Sequence, residues 1–244
     1  MHQIVKRGPD PCANCGLGRV ATAARLAATG GRVEALSAQT CALGAVAHHL
    51  TLKPGASIAP ETLASHSVLA LKSGALAFRV LLPDGRRSLP KLLLAGEIAD
   101  CRQPDGKAPA DVIAVGISEI CMIPADAFDR LLESNPDANR FVLDEWRHQA
   151  AIAEHHAVDI GRKSPSERVA SFIFELCERR NDGESSVPLP LSRSDLADYL
   201  ALNADTLSRA FRQLERDGLI SLPRPSAVVI QDEDTLRRVA DGAA

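Results

Sequence analysis

Short apolar runs separated by turn-forming residues occupy residues 50–124, and this alternation predicts β-strands. The turn signals recur at intervals of roughly 8 to 12 residues and are Pro54-Gly55, Ser73-Gly74, Asp84-Gly85, Gly96 and Asp105-Gly106. Closely spaced turns between short strands are typical of antiparallel sheets joined by hairpins. The pattern therefore predicts a compact antiparallel β-roll or barrel.

A longer periodic stretch predicts one helix over residues 136–161, with Pro136 in its first turn. Its apolar residues alternate between spacings of three and four, as in a coiled-coil seam, and they are Leu143, Trp146, Ala150, Ala153, Ala157 and Ile160. No acidic residue lies in this seam, and its small side chains favour close approach of a second helix. The alternative is an amphipathic helix that packs only on its own barrel.

The C-terminal third contains three helical patterns, over residues 164–180, 192–201 and 203–217. Ser192 and Asn203 are suited to cap the second and third helices, and "LISLPRPSAVVIQD" predicts two short strands around a turn. The apolar positions that these helices share are Leu196, Leu200, Leu207, Phe211 and Leu214. Two helices joined by a tight turn and followed by a hairpin indicate a winged helix-turn-helix.

The third of these helices begins with polar side chains that can pair with DNA bases. Asp205, Ser208 and Arg209 lie at i, i+3 and i+4 and share one face, and Thr206 belongs to the same polar run. An arginine can bind both O6 and N7 of guanine, and a carboxylate can accept from the cytosine amino group. Phosphate contacts are predicted from Arg193, Arg212 and Arg216. The alternative is a surface helix with a fortuitous Asp205–Arg209 pair.

The composition of the chain limits which functions it is expected to have. The chain has 244 residues, enough for two domains, and a net charge of −3, so binding to nucleic acid requires basic residues arranged locally. It contains no apolar run of about 18 residues and no secretory leader pattern, which predicts a soluble, cytoplasmic protein. No Ser-His-Asp order, HExxH motif, P-loop or paired catalytic carboxylates occur, so we do not expect an enzyme.

Six cysteines form the other chemical feature, and a reducing compartment disfavours a disulfide framework among them. Cys12 and Cys15 form a CxxC, a spacing that suits a cluster, zinc or a dithiol switch. Cys177 lies on the apolar face of a helix and is predicted to be structural. His155 and His156 point about 100° apart on a helix, so they cannot both bind one haem iron, and we predict a solvated flank.

The segment "LSRSDLADYLALNADTLSRAFRQLERDGLI" strongly resembles the helix-turn-helix of the Crp/Fnr family of transcription regulators, and the resemblance extends from about Leu50 to the end of the chain. It implies an α+β fold with an N-terminal antiparallel β-roll sensor domain of the cyclic-nucleotide-binding type, a long dimerisation helix and a C-terminal winged helix-turn-helix. The expected domains are an arm with the CxxC (1–30), the β-roll (31–135), the dimerisation helix (136–161) and the DNA-binding domain (162–244).

The Fnr-like branch of the family reads DNA with a Glu-x-x-Ser-Arg pattern, which corresponds here to Asp205-x-x-Ser208-Arg209. The resemblance implies a homodimer on a palindromic site of the TTGAT…ATCAA kind, contact with RNA polymerase and no membrane association. Asp205 is one methylene shorter than glutamate, so the preference at the base it contacts stays open.

The sensor domain departs from the cyclic-AMP-binding pattern of a Gly-Glu loop followed by Arg-Ser. Gly96-Glu97 is present, but the later segment reads "GKAPADVIAV" and lacks the arginine. A buried cyclic phosphate without a cation is costly, so cyclic AMP is not expected. Arg102 and Lys107 are the alternative cations.

The Fnr-like branch implies instead a [4Fe-4S] cluster and a response to oxygen, nitric oxide or redox state. Cys12, Cys15 and Cys121 correspond to three of its ligands, while the third N-terminal cysteine of the family is missing. Cys41 is the favoured fourth ligand, and Cys101, a carboxylate or a histidine are alternatives. A regulator without a cluster, using zinc, a dithiol switch or a small-molecule effector, stays open, as does a ligand-binding module that does not act on DNA.

Overall fold

The computed structural model describes residue 43 and residues 46–65, 68–102, 111–180 and 184–243. The chain forms two compact units. Unit 1 contains the described residues up to Leu81 and from Lys91 to Gln149, and unit 2 contains Leu82–Pro90 and the described residues from Ala150 onward.

Unit 1 is built on two four-stranded antiparallel sheets, as the turn pattern predicts. The strands of the first sheet, in spatial order, are β1 (His48–Leu52), β8 (Ser118–Ile123), β3 (Val68–Ser73) and β6 (Ile98–Asp100). Those of the second are β2 (Ser57–Ile58), β7 (Asp111–Ala114), β4 (Ala75–Leu81) and β5 (Arg87–Leu94). A short helix, α1 (Pro60–Ser65), connects β2 to β3.

The turn between β3 and β4 depends on Gly74. Its φ is +86°, and a Cβ at this position would overlap the carbonyl oxygen of Ile117. The neighbouring Ser118 is fully buried, accepts from the amide of Ala75 at 3.2 Å and donates to the carbonyl oxygen of the same residue at 3.0 Å. Only glycine fits this close approach, so the turn predicted at this position is confirmed.

Two separate hydrophobic clusters hold unit 1 together. The roll interior contains leucines from both sheets, among them Leu69, Leu76 and Leu93, and it includes Cys101. The outer cluster lies on the other face of the first sheet and includes Cys121, together with Phe128 from α2 (Ala125–Ser134). The buried residues of the roll interior include no arginine or lysine among the described residues. The roll interior is therefore an apolar core.

The long helix α3 (Pro136–Arg162) begins after Asn135, whose side-chain oxygen accepts from the amide of Ala138 at 2.9 Å. Trp146 packs against the outer cluster. Leu143 is 41% exposed, and the three seam alanines Ala150, Ala153 and Ala157 are exposed. The seam predicted from spacing is thus largely open to solvent, and its tryptophan is shared with the core of unit 1.

Unit 2 contains a three-helix core and a small sheet. The core helices are α4 (Pro165–Arg180), α5 (Arg193–Tyr199) and α6 (Ala204–Arg216), and a fourth helix, α7 (Glu233–Ala240), follows the sheet in the chain. The sheet has the order β10 (Ile220–Arg224), β11 (Ala227–Ile230) and β9 (Ser186–Pro188). The apolar positions predicted for this core are all buried: Leu196, Leu200, Leu207, Phe211 and Leu214.

Both predicted helix caps are confirmed. The hydroxyl of Ser192 accepts from the amide of Asp195 at 3.1 Å, and the side-chain oxygen of Asn203 accepts from the amide of Thr206 at 2.8 Å. Between α5 and α6, Ala201 has a φ of 51°, in the left-handed region. The left-handed turn at Ala201 and the cap at Asn203 together fix the direction of α6 relative to α5.

Candidate nucleic-acid interface and sensor residues

Helix α6 has one buried face and one exposed polar face. Leu207, Ala210, Phe211 and Leu214 are buried at i, i+3, i+4 and i+7, because this spacing repeats along one side of a helix. The polar residues predicted to meet DNA lie away from that face: Asp205, Thr206, Ser208, Arg209, Arg212 and Arg216. Thr206 and Ser208 are half-buried and the others are exposed.

Arg209 and Arg212 of this face are free to bind an external acceptor, whereas Arg216 donates to the side-chain oxygen of Gln213 at 2.6 Å. Among the described residues, no hydrogen bond or ion pair engages the guanidinium of Arg209 or Arg212, and none joins Asp205 to Arg209. Ser208 donates to the carbonyl oxygen of Ala204 at 2.8 Å, so its hydroxyl oxygen can still accept. The alternative of an internal Asp205–Arg209 pair therefore has no support in this structure.

A groove of about 900 Å³ runs beside α6 within unit 2. Its lining includes three arginines and several hydroxyl side chains, namely Arg209, Arg212, Arg216, Ser164, Thr206 and Ser221. A concave surface with clustered cations and hydroxyl donors is suited to the phosphate backbone of a nucleic acid. Glu215 is the acidic residue of the lining, so the three arginines leave the groove net positive, whereas the whole chain carries −3.

Arg193 has a different setting from the other predicted phosphate ligands. Its guanidinium carbon lies 3.9 Å from the centroid of the Phe211 ring, and its Nη1 atom is buried without a partner in the described residues. Desolvation by burial lowers the pKa of Arg193, while Glu215 acts in the opposite direction. Arg193 thus supports α6 from α5 by stacking on its buried phenylalanine.

Arg87, which the sequence analysis did not single out, binds α5 within unit 2. Its Nε donates to Asp198 at 2.6 Å and its Nη2 donates to Asp195 at 3.0 Å. The Arg87 side chain is 30% exposed, and those of Asp195 and Asp198 are 18% and 24% exposed. Nothing local in the sequence signals this contact, because its partners are more than 100 residues apart.

His156 is buried, so the prediction of a solvated flank is wrong for this residue, although His155 is exposed as predicted. The His156 ring stacks on Tyr199 with a centroid distance of 4.2 Å, and its Nε2 is buried without a partner in the described part of the chain. Tyr199 donates from its hydroxyl to Glu175 at 3.0 Å. Burial is the main cause that lowers the pKa of His156; nearby Asp159 raises it and Arg168 lowers it.

The folded protein is expected to lose stability on mild acidification through His156. Because its pKa in the fold is below the ordinary value of about 6.5, protonation favours the unfolded chain. The stability that the neutral His156 contributes is fully present above the ordinary pKa of about 6.5, and it is lost as pH falls toward the lower pKa of the folded state. Urea unfolding at pH 7.5 and 5.5 should show a smaller pH effect in His156→Phe, which keeps a stacking ring that does not titrate. His155→Gln is the matched control and should keep the wild-type pH dependence.

The described cysteines lie in three different environments. Cys121 is 1% exposed in the outer cluster, and its Sγ lies 3.1 Å from Nδ1 of His49 on the paired strand. Cys101 is in the roll interior, where burial, more than any nearby charge, raises its pKa to about 12. Cys177 is half-buried on α4. Cys12, Cys15 and Cys41 lie outside the described residues.

Cys121 is the one expected ligand of a [4Fe-4S] cluster that lies among the described residues. Because burial raises the pKa of the Cys101 thiol to about 12, Cys101 is a weak candidate for a thiolate ligand. Cys101 also lies in the roll interior, whereas Cys121 lies in the outer hydrophobic cluster. Cys101 is therefore not a suitable fourth ligand. The residues that the structure describes contain no group of three or more metal-binding side chains. What they do contain is one close thiol–imidazole pair, Cys121 and His49. His49 was missed because its contact depends on strand register.

An antiparallel β-roll followed in the chain by a long helix and a winged helix-turn-helix with exposed arginines on its second helix is the architecture of a DNA-binding transcription regulator. The family model described as a Crp-like helix-turn-helix domain matches residues 167–239. The chain is 30% identical over 190 residues to the transcriptional activatory protein AadR of Rhodopseudomonas palustris, covering 77% of this chain and 79% of that protein. The chain belongs to the Crp/Fnr family of transcriptional regulators.

Two further similarities agree with this assignment. The nitrogen fixation regulation protein FixK of Bradyrhizobium diazoefficiens is 34% identical over 152 residues, which cover 61% of this chain and 64% of that protein. The solved structure of FixK2 from Bradyrhizobium japonicum aligns with a TM-score of 0.70 at 25% identity, covering 80% of this chain and 97% of that one. These relatives are transcriptional regulators, which confirms the expectation that the chain is not an enzyme. Among the described helices, none is both long and apolar enough to cross a membrane.

Proposed function

We propose that this regulator binds a palindromic site of the TTGAT…ATCAA kind as a homodimer. The observation that carries the proposal is the exposed, unpaired guanidinium of Arg209 in the second turn of a capped helix. Such a group is available for bidentate contact with guanine in the major groove. Asp205 contributes by accepting from a cytosine amino group, and Ser208 reads an adjacent base edge from the same face.

The phosphate contacts of the proposed complex come from the groove beside α6. Arg212 and Arg216 line it with Thr206, and their charges attract the DNA backbone at any sequence. A phosphate contact from Arg193 would come from the rest of its guanidinium, because its Nη1 atom is buried. Contacts of this kind hold the register of the helix, while Arg209 and Asp205 supply sequence preference.

A palindromic DNA site has two-fold symmetry, so the protein that binds it should be a homodimer with the same symmetry. The exposed alanines of α3 and the half-exposed Leu143 form an apolar stripe that a second copy of the helix would cover. Two recognition helices held one DNA turn apart then match the two half-sites. RNA polymerase is the further proposed partner, by analogy with activators among the relatives, such as the transcriptional activator protein FnrL.

The sensing role is assigned to Cys121 together with Cys12 and Cys15, with oxygen, nitric oxide or redox state as the signal. Support comes from the polar contact of the buried Cys121 thiol with His49. The likeness to FnrL of Cereibacter sphaeroides, 27% identical over 169 residues, points in the same direction. The resemblance to the Fnr-like branch suggests a [4Fe-4S] cluster as the cofactor of this role.

Fluorescence anisotropy with a labelled TTGAT palindrome tests the DNA-binding proposal directly. We expect wild-type protein to bind it more tightly than a scrambled duplex of equal length, with a steep loss of affinity as salt rises. Equal affinity for the two duplexes would contradict the proposed site. Repeating the titration before and after anaerobic treatment tests whether the cysteines couple a signal to affinity.

Replacing Asp205 with glutamate is expected to retain DNA binding and to move the base preference toward that of Glu-x-x-Ser-Arg proteins. The longer side chain places its carboxylate about one methylene deeper in the groove, so the base from which it accepts changes. Selection from a randomised duplex pool should give different consensus sites for the two proteins. Identical sites would show that Asp205 does not read a base.

A further inference from the structure

The turn that leads into α6 has the backbone geometry of a helix end that usually carries glycine. The amide of Leu202 donates to the carbonyl oxygen of Ala197 at 2.9 Å, and Ala201 between them has a φ of 51°. This is the Schellman arrangement, in which the left-handed position is most often glycine. Among the residues that the structure describes, Ala201 is the only non-glycine residue with a positive φ. A left-handed alanine is strained, so neighbouring contacts have to hold it in place.

Arg168, in the first turn of α4, supplies contacts of this kind. Its Nη1 donates to the carbonyl oxygen of Leu200 at 3.0 Å and to that of Ala201 at 3.4 Å. The last carbonyl groups of a helix lack acceptor partners within the helix, and a guanidinium forms strong, charge-assisted hydrogen bonds with them. Arg168 is half-buried, which limits competition from water. One side chain therefore holds both carbonyl groups of the turn.

The same guanidinium also binds the segment between α3 and α4. Its Nε donates to the carbonyl oxygen of Lys163, the residue that follows α3, at 2.9 Å. The ammonium of Lys163 forms an ion pair with Asp159 of α3 at 2.6 Å and donates to the hydroxyl of Ser171 on α4 at 2.8 Å. All of these residues belong to unit 2. Within this unit, Arg168 thus connects the C-terminal end of α3 with the turn before α6.

We propose that Arg168 is a positioning residue for DNA recognition, which makes the start of α6 follow the end of α3. The inference rests on the proposed role of α6 in reading DNA. Arg168 does not line the groove beside α6, so it acts through the turn and not by contact with a phosphate. When the bridge is lost, Ala201 can relax its left-handed conformation. The start of α6 then moves, and Arg209 loses its alignment with the guanine edge.

Hydrogen–deuterium exchange of the free full-length protein tests the bridge without DNA. Arg168→Ala is expected to lose amide protection in residues 201–207 while the sheet of unit 2 keeps its protection. Adding Ala201→Gly to this variant should restore the protection, because glycine adopts a φ of 51° without support. Loss of protection throughout unit 2 would show a general loss of stability and would overturn the proposal.

Anisotropy titrations with the TTGAT palindrome and a scrambled duplex test the effect on recognition. Arg168→Ala is expected to lower affinity for the palindrome about ten-fold. Affinity for the scrambled duplex and the salt dependence should not change, because no phosphate contact is removed. The double variant with Ala201→Gly should recover the preference. Arg237→Ala is the matched control, since it removes an arginine of unit 2 that stacks on Phe174, with 4.3 Å from its guanidinium carbon to the ring centroid, and it should behave as the wild type.

Arg168→Lys serves as a second variant, because it keeps the charge but not the fixed pair of donors. We expect it to lose preference for the palindrome in the same direction as Arg168→Ala. Three outcomes would overturn the positioning role: wild-type preference in both Arg168 variants, no recovery with Ala201→Gly, or equal loss on both duplexes with a weaker salt dependence, which would mark a phosphate contact. Equal affinity of the wild type for the two duplexes contradicts the proposed DNA site instead, and the exchange experiment still decides the bridge.

Discussion

Arg209→Ala is expected to abolish specific DNA binding while leaving the fold intact. Each half-site loses a bidentate guanine contact of about 1 to 3 kcal/mol, and a dimer loses it twice. The combined loss of about 2 to 6 kcal/mol corresponds to a fall in affinity of roughly thirty-fold or more. Anisotropy titrations against the palindrome and a scrambled duplex measure it, and the two affinities should converge.

The matched control is Arg238→Ala, which removes the same charge from an exposed arginine of α7 that does not line the groove beside α6. It should keep the preference for the palindrome. Arg212→Ala is expected to weaken binding to both duplexes alike and to reduce the salt dependence, because a phosphate contact carries no sequence information. Unchanged preference in Arg209→Ala would contradict the assignment of α6 as the recognition helix.

Ala150→Glu is expected to convert the homodimer into monomers. A carboxylate at the centre of the apolar stripe would be buried beside its symmetry mate, and an unpaired buried charge costs about 3 to 5 kcal/mol. Sedimentation velocity at micromolar concentration should show one species of half the wild-type mass. DNA affinity should fall with it, since a monomer reaches only one half-site.

Ala151→Glu is the control for this prediction. Ala151 is also exposed but lies about 100° around the helix from Ala150, away from the predicted seam. It should remain dimeric, and dissociation of both variants alike would contradict the seam. Trp146→Glu is a less selective test, because Trp146 packs against the outer cluster and its loss would also destabilise unit 1.

Local sequence signals predicted the DNA-binding half of the molecule well. Cap residues and helical periodicity act over three or four positions, so Ser192, Asn203 and the buried positions of α6 could be assigned from the amino-acid sequence alone. The same locality explains the turns of the roll, where Gly74 is required by the backbone itself. In these cases the physical cause and the sequence signal lie in the same few residues.

Contacts between distant segments could not be predicted in this way. Nothing in the position of His156 along its helix distinguishes it from an exposed residue. It is buried because its ring stacks on Tyr199, which lies on another helix. Arg87 and Asp198 are 111 residues apart. The pairing of His49 with Cys121 depends on a register that no pattern within either strand specifies. The sequence therefore singled out Cys121 but not the histidine that contacts it.

The turn at Ala201 and the cap at Asn203 have a consequence for the energetics of DNA recognition. They fix the start of α6 before DNA arrives, and Arg193 supports its buried side by stacking on Phe211. Because the helix is already ordered, DNA binding has no entropic cost for forming it. The remaining conformational entropy cost comes from fixing a few arginine side chains, at about 0.5 to 1.5 kcal/mol each. In the proposed dimer, a recognition helix that is already rigid would leave the spacing between the two recognition helices as the quantity that a signal adjusts.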